Sequence, residues 1–227
     1  MRGVIKQDCP APLANWLALS NENWTPTYGE FRGPPKTGTH SSLLTEQMGV
    51  CVYCGRALRP DRNDSHIDHF RPQARFNADN PPDLTLSYSN LVVSCGPDRY
   101  PVGHPLRRNA TCGESKGDWF DNDCHIDPTE ENCQARFSYG MSGEIFPSST
   151  RDVAAKTMIE VLNLNEKSLS YERNVIVLGI ESQINDGTIN VENMQNEIEL
   201  FRMANQNGFA LSLSHVASRY IEDEFQI

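Results

Sequence analysis

The pattern of apolar and polar positions divides the chain into three stretches of different character. Residues 1–47 hold several proline and glycine turn signals and no clear periodicity, which predicts an arm of loops with short helices around 11–20 and 41–48. Residues 48–148 alternate short apolar stretches with turns, whereas apolar residues recur at helical spacing from residue 149 onward. We therefore expect an α+β protein in three parts, bounded as 1–47, 48–148 and 149–227.

The middle and last stretches predict individual elements. A short strand is expected around 66–70, and a short helix or strand around 87–94. A short helix is expected to begin near Cys112 and to carry Lys116, and residues 121–150 suggest loops and a hairpin. About four helices should follow, with Ser149 or Thr150 as the N-cap of the first.

Charge is distributed unevenly along the chain, which has a formal net charge of −10. Residues 51–120 have nine basic and eight acidic side chains, but residues 121–227 have seven basic and eighteen acidic ones. The acidic half either keeps the protein soluble or docks on a basic partner protein, and the sequence leaves both interpretations open.

Two observations indicate where in the cell the protein is located. There is no apolar run long enough for a transmembrane helix, and the N-terminus lacks a secretory signal, so we expect a cytoplasmic protein with no membrane association. An odd number of cysteines, seven, argues against a disulfide framework in such a protein.

Four of the cysteines fall into a metal-binding pattern. Cys51 and Cys54 form a pair with two residues between them, and Cys95 and Cys112 could supply two further thiolates to a tetrahedral Zn²⁺. A redox pair and unliganded thiols are the alternatives, although the residues that follow Cys54 favour a zinc knuckle. The spacing of the other three, Cys9, Cys124 and Cys133, predicts no site.

The segment from Ser65 to Pro72, SHIDHFRP, has the composition of a catalytic site. On a strand, His66 and Asp68 would share one face and His69 would lie on the other, with a turn bringing Asp68 and His69 to adjacent corners. Asp68 would be an oxygen ligand for a divalent metal, and His69 would be free to act as a general base. The alternative is two surface histidines beside a solvated aspartate.

The order of these motifs resembles the zinc-containing members of the HNH nuclease family. Those proteins carry a CxxC pair, an Asp-His pair, an Asn-Leu pair and two further cysteines, which here correspond to Asp68-His69 and Asn90-Leu91 between the four cysteines named above. The resemblance implies a ββα-metal fold for about residues 48–120. It also implies that His69 activates water, Asp68 binds the catalytic metal and Asn90 holds the loop of the site in its geometry.

Longer strings are similar to the HNH subunit of Septu and retron-associated anti-phage systems, the PtuB-like proteins. The strings are HIDHFRP, YSNLVVSC, CGESKG, IDPTEEN and GEIFP, and the similarity extends from about residue 48 to 165. It implies an effector that degrades nucleic acid beside an ATPase subunit (PtuA-like), with a retron RNA or DNA element as a further partner.

One position departs from the HNH pattern. A histidine or asparagine usually follows the last cysteine, but Gly113 stands there. The catalytic ion would then take Glu114, His66 or mostly water as the remaining ligands. Hard carboxylate ligands favour Mg²⁺ or Mn²⁺ for this ion, while the thiolates would take a structural Zn²⁺.

Arginines supply candidate contacts to the phosphates of the substrate, because the guanidinium matches phosphate bidentately. Arg71, Arg107 and Arg108 are the strongest candidates, followed by Arg59, Arg62, Arg75 and Arg99. His104 and His125 are expected to be plain surface residues, and His215 to pack or to be solvated.

Two other functions compete with this interpretation. The chain could be an RNA-specific nuclease, for example one that cuts tRNA, because attack by water does not need a 2′-hydroxyl. Alternatively, it could be a catalytically inactive, zinc-stabilised regulatory or binding subunit, since Gly113 replaces a usual HNH residue.

Overall fold

The computed structural model describes residues 1–58, 64–96, 109–130, 132–203 and 213–227. The described part combines helices with two small antiparallel sheets, which confirms the predicted α+β class. The helices are α1 (Ala11–Leu17), α2 (Gly33–Glu46), α3 (Cys112–Lys116), α4 (Val153–Val161), α5 (Lys167–Asn185), α6 (Met194–Met203) and α7 (Ser214–Phe225). The strands are β1 (Ser65–His69), β2 (Leu91–Cys95), β3 (Phe137–Tyr139) and β4 (Ile145–Pro147).

The first 47 residues are more helical than their sequence suggests. Helix α2 begins at Gly33 rather than near residue 41, because prolines occupy its first positions, where their fixed φ suits a helix start. Met1 and Val4 are buried in the same hydrophobic core as the strands, and the amide of Arg2 donates to the carbonyl of Val52. The boundary at residue 48 stays a prediction.

The hairpin of β1 and β2 lies at the centre of the middle region. The two strands pair antiparallel, with Ser65 opposite Cys95 and His69 opposite Leu91. All five residues of β2 are buried, whereas β1 alternates, with Ser65, Ile67 and His69 buried and His66 and Asp68 half-buried. The alternation confirms the predicted strand and the shared face of His66 and Asp68.

The predicted hairpin lies at the end of the middle region, and the described residues after it contain the four predicted helices. Strand β3 pairs with β4, α4 packs beside β4, and α7 packs beside β3. The N-cap of α4 is Asp152, whose Oδ1 accepts from the amide of Ala155 at 2.9 Å, so the prediction of Ser149 or Thr150 is wrong. A carboxylate is a strong cap because it satisfies an amide that has no partner within the helix. None of the described helices has both the length and the apolar character needed to cross a membrane.

Candidate active site and metal centre

The four cysteines of the predicted zinc pattern converge on one point. Their Sγ atoms lie within 4.8 Å of one another, and all four residues are buried. The Sγ atoms of Cys54 and Cys95 are 3.7 Å apart, close to the edge of about 3.8 Å expected for a tetrahedron with Zn–S bonds of about 2.3 Å. The prediction of a four-cysteine site is thus confirmed, and the cluster could hold a metal ion such as zinc.

The surroundings of the cluster favour metal ligation over simple burial of thiols. Burial raises the pKa of Cys112, so that without an ion this thiol stays protonated. Burial acts in the same direction on Cys51, but hydrogen bonds from the other thiols hold the pKa of Cys51 well below its ordinary value. The amide of Cys95 also donates to Cys51 Sγ at 3.3 Å. A thiolate is therefore already favoured at one of the four positions, and thiolates are the form that binds zinc.

Asp68 on β1 contacts two residues, Tyr53 and Lys116, that belong to the segments containing the zinc-pattern cysteines. The hydroxyl of Tyr53, inside the Cys51–Cys54 turn, donates to Asp68 Oδ2 at 2.6 Å. The ammonium of Lys116, at the end of α3, lies 3.5 Å from the same oxygen. The Lys116 side chain is only 1% exposed and that of Asp68 14%, so this ion pair is largely shielded from water and its attraction is stronger than at the surface.

His69 is the last residue of β1 and is buried. Its Nε2 lies 2.8 Å from the carbonyl oxygen of Thr85, which can only accept, so Nε2 has the proton and Nδ1 keeps a free lone pair. Lys116 Nζ donates to the carbonyl of His69 at 2.9 Å. Burial lowers the pKa of His69, an effect that Asp68 opposes and the charges of Lys116 and Lys36 reinforce. The neutral imidazole needed for a general base is therefore the favoured form near neutral pH.

Asn90 immediately precedes β2 and bonds across the loop that follows His69. Its Oδ1 accepts from the amide of Arg71 at 3.0 Å, and its Nδ2 donates to the carbonyls of Arg71 at 2.9 Å and Leu84 at 3.1 Å. Only 2% of the surface of Asn90 is exposed, so its side-chain amide bonds to the backbone and not to solvent. These bonds hold the loop containing Thr85 against the end of the hairpin.

Comparison with known proteins identifies the family. No family model matches the chain. A protein of Vibrio cholerae serotype O1 biovar El Tor, named as the candidate HNH endonuclease of retron Vc95, is 31% identical over 171 residues. The match covers 72% of this chain and 76% of the relative. The chain belongs to the HNH endonuclease family. It is therefore a nuclease, and its α+β fold with a buried four-cysteine cluster agrees with the HNH enzymes that contain a zinc site.

The glycine that replaces the usual HNH residue lies against Asp68. A Cβ atom on Gly113 would lie 3.0 Å from Asp68 Cγ and 3.0 Å from Ser94 Oγ, closer than ordinary van der Waals contact. The amide of Gly113 donates to Ser94 Oγ at 3.0 Å, which fixes the start of α3 against β2. The absence of a side chain at this HNH position thus leaves room for the carboxylate.

The predicted ligands Glu114 and His66 both lie beside Gly96. His66 Nδ1 donates to the carbonyl of Gly96 at 2.8 Å, and Glu114 Oε2 lies 3.3 Å from where a Cβ on Gly96 would be. Within the described ranges, the four cysteines are the one group of three or more His, Cys, Asp or Glu ligand atoms close enough to share an ion. The roles of Asp68, His66 and Glu114 in binding a catalytic ion stay predictions.

Three arginines are the strongest predicted phosphate contacts, and Arg71 is the one among them that lies within the described residues. Its guanidinium is 43% exposed and lies 3.5 Å from Asp127, so a substrate phosphate can reach it. The other two, Arg107 and Arg108, lie outside the described residues, as do Arg59, Arg62, Arg99 and His104. Arg75 is exposed.

The structure corrects the prediction for His125 and resolves that for His215. His125 is not a plain surface residue, since it stacks on Phe70 with ring centroids 5.8 Å apart and its Nε2 donates to the Phe70 carbonyl at 3.0 Å. His215 packs beside the zinc turn, where its ring occupies the space that a Cβ on Gly55 would need.

Sequence reasoning did not assign Tyr53, Lys116 or Tyr28 to the HNH site. Tyr53 lies between Cys51 and Cys54, so its position in the turn that binds zinc is the signal that could have indicated it. Lys116 follows the last cysteine by four residues, one helical turn, so it lies on the same side of α3 as Cys112. Tyr28, whose ring lies 4.4 Å from the His69 ring between centroids, is too far away in sequence for any motif to indicate it.

Proposed function

We propose that this protein is a metal-dependent HNH nuclease that hydrolyses phosphodiester bonds in nucleic acid. The observation that carries the proposal is the arrangement of His69, whose Nε2 is bound to Thr85 so that Nδ1 can take a proton. Beside it, Asp68 is held by Tyr53 and Lys116 as an oriented carboxylate. The two side chains leave opposite faces at the end of β1, but the charge of Asp68 acts on the His69 imidazole. A base beside a potential metal ligand is what hydrolysis by activated water needs.

The roles of the residues in cleavage follow from this arrangement. His69 Nδ1 removes a proton from the water that attacks the phosphorus, and the bond to Thr85 keeps the ring oriented while it is protonated. Asp68, with His66 on the same strand face and Glu114 as further candidates, would hold Mg²⁺ or Mn²⁺, which supplies positive charge for the scissile phosphate and the leaving oxygen. Arg71, together with Arg107 and Arg108, binds flanking phosphates.

A separate structural ion, Zn²⁺, is assigned to the four cysteines. Their sulfur-only donor set suits zinc and is poorly matched to Mg²⁺. The zinc-binding segments also present Tyr53 and Lys116 to Asp68, so zinc would support catalysis by holding these two residues in place.

The biological setting is proposed from the relative and from charge. The Vibrio relative is named as part of a retron. This name supports a role for the present protein as a cytoplasmic effector of anti-phage defence, associated with a retron RNA or DNA element. An ATPase subunit is the proposed partner, and the acidic residues 121–227 provide a candidate surface for it. Residues 51–120 have nearly balanced charge, so substrate affinity without a partner should be weak and sensitive to salt.

The test is a cleavage assay with the purified full chain on double-stranded DNA, single-stranded DNA and tRNA. Each substrate is incubated with Mg²⁺, with Mn²⁺ or with chelator mild enough to leave zinc bound, and with and without the co-expressed ATPase. We expect cleavage that needs Mg²⁺ or Mn²⁺ and increases with the partner. Cleavage unaffected by these ions would contradict the proposed metal dependence, and the preferred substrate decides between the DNA and RNA alternatives.

A regulatory role, in which binding by this HNH protein and not cleavage provides the protection, is the second candidate. It is favoured by the finding that Asp68 is not part of a ready-made group of three ligand atoms among the described residues. His69→Ala separates the two functions in cells challenged with phage. An effector nuclease loses protection with this substitution, whereas a binding subunit keeps it.

A further inference from the structure

Tyr28 contacts the imidazole of His69 although it lies well before residues 48–120, to which the HNH motif belongs. The centroids of the two rings are 4.4 Å apart and their planes are inclined by 76°, an edge-to-face arrangement. Tyr28 is partly buried and starts a short 3-10 helix, Tyr28–Glu30. The N-terminal segment therefore covers one side of the His69 imidazole.

The N-terminal segment holds Tyr28 firmly. Its ring packs on Phe31 at 5.8 Å between centroids, and Phe31, which is 1% exposed, packs on Trp16 of α1 at 5.2 Å. The carboxylate of Glu30 accepts from the Trp24 indole at 3.1 Å and from the Thr27 hydroxyl at 2.8 Å. These contacts restrain the backbone on both sides of Tyr28, and the contact with Phe31 restrains its ring beside His69.

An imidazole held by one hydrogen bond still needs a second contact to define its plane. The torsion that turns a histidine ring has a broad energy minimum. Besides the bond from Nε2 to Thr85, the groups packed against this buried ring therefore help to set the direction of Nδ1. The ring of Tyr28 limits that rotation from the side. Its hydroxyl is unsuited to act as a base, because burial and the charge of Asp68 raise the pKa of Tyr28 to about 12.

We propose that Tyr28 is a positioning residue for His69, whose aromatic ring keeps Nδ1 of the imidazole aimed at the attacking water. This inference rests on the proposed nuclease function of His69. It makes the N-terminal segment a part of the catalytic machinery, since the ββα-metal core alone would lack one wall of the site. The aromatic ring matters in this role and the hydroxyl does not.

The test compares kcat and KM of the full chain for Tyr28→Phe and Tyr28→Leu. The Phe variant keeps the ring, and we expect its kcat to stay within about twofold of the original value. The Leu variant should lose about tenfold or more in kcat with little change in KM, because misorientation of a catalytic group impairs the chemical step. Equal losses in the two variants would overturn the role of the ring, and so would full activity of Tyr28→Leu.

Two controls keep the outcome interpretable. Val177→Ala removes buried side-chain volume in α5, outside the N-terminal segment, so at a similar loss of melting temperature it should keep kcat. Crystal structures provide a readout that does not need cleavage: the 2.8 Å contact between His69 Nε2 and Thr85 should persist in Tyr28→Phe and be lost or split between two ring orientations in Tyr28→Leu. An undisturbed imidazole in Tyr28→Leu would refute the proposal, whereas wild-type cleavage by His69→Ala would refute the proposed function itself.

Discussion

The four-cysteine cluster and the Asp68–His69 corner use the same hairpin but are built in different ways. The cluster gathers four equivalent ligands around one point, with Cys51 and Cys112 fully buried. The corner places two different side chains on opposite faces of β1, and each depends on neighbours from other segments. A site of four equivalent thiolates suits a structural ion, whereas a site of different groups, each held by its own neighbours, suits a chemical reaction.

The two regions are also joined. Tyr53 lies between two of the cysteines and Lys116 ends the helix that starts at Cys112, and both contact Asp68. The comparison therefore predicts an asymmetry: damage to the cluster should impair both regions, while damage to the corner should impair cleavage alone.

Loss of a cysteine ligand should have the largest effect. Cys112→Ser is expected to abolish metal binding and to remove at least several kcal/mol of stability, since binding of structural zinc contributes about 10–16 kcal/mol to folding in zinc-finger peptides. Metal content by mass spectrometry and the melting temperature are the measurements. Cys9→Ser changes an exposed cysteine and should leave both unchanged. A Cys112→Ser protein with full metal content and stability would rule out the cluster as a structural metal site.

Removal of the lysine that joins the regions should come next. Lys116→Met leaves the carboxylate of Asp68 without its cation and the carbonyl of His69 without a donor. Breaking a buried ion pair costs about 3–5 kcal/mol, and the displaced groups should reduce cleavage by about 100-fold. Urea unfolding and kcat measure the two effects. The control Lys167→Met, at an exposed position, should have neither, and normal cleavage by Lys116→Met would show that the corner does not depend on this link.

The tyrosine of the zinc turn should have a smaller and more selective effect. Tyr53→Phe removes only the hydroxyl that donates to Asp68, a bond of the charged type worth about 1.5–3 kcal/mol. We expect about a tenfold loss in kcat with unchanged zinc content. Tyr171→Phe, on an exposed face of α5, is the matched control. If zinc content fell together with kcat, Tyr53 would belong to the metal site and not to the link.

The smallest effect is expected at the glycine beside Asp68. Gly113→Ala should lower cleavage by about two- to tenfold, because the new methyl group displaces the carboxylate from its present position. Gly179→Ala is the matched control in α5, where a Cβ would meet nothing within 4 Å. It should gain about 0.5–1 kcal/mol of stability from helix propensity at unchanged kcat. Undiminished cleavage by Gly113→Ala would show that the space at this position is not needed.

The difference between the regions also explains what the sequence could predict. The cluster and β1 depend on local spacing and alternation, so Cys51, Cys54 and the shared face of His66 and Asp68 were accessible from the sequence. The helical C-terminal region was accessible for the same reason, because its period is visible within each segment.

Contacts that depend on tertiary packing were not accessible. The bond of Tyr53 to Asp68 and the ring contact of Tyr28 with His69 join residues whose proximity no local pattern encodes. The burial of His125 against Phe70 belongs to the same class. The cap at Asp152 was missed for another reason, since Ser149, Thr150 and Asp152 are all good N-caps and only the path of the chain selects one.

The most direct measurement of the central claim is the cleavage rate of His69→Ala alongside its zinc content and melting temperature. The account predicts that cleavage falls by at least about 100-fold, the contribution typical of a general base, while bound zinc stays at one ion per chain and the fold stays intact. Cleavage at the original rate by a folded, zinc-loaded His69→Ala protein would contradict it.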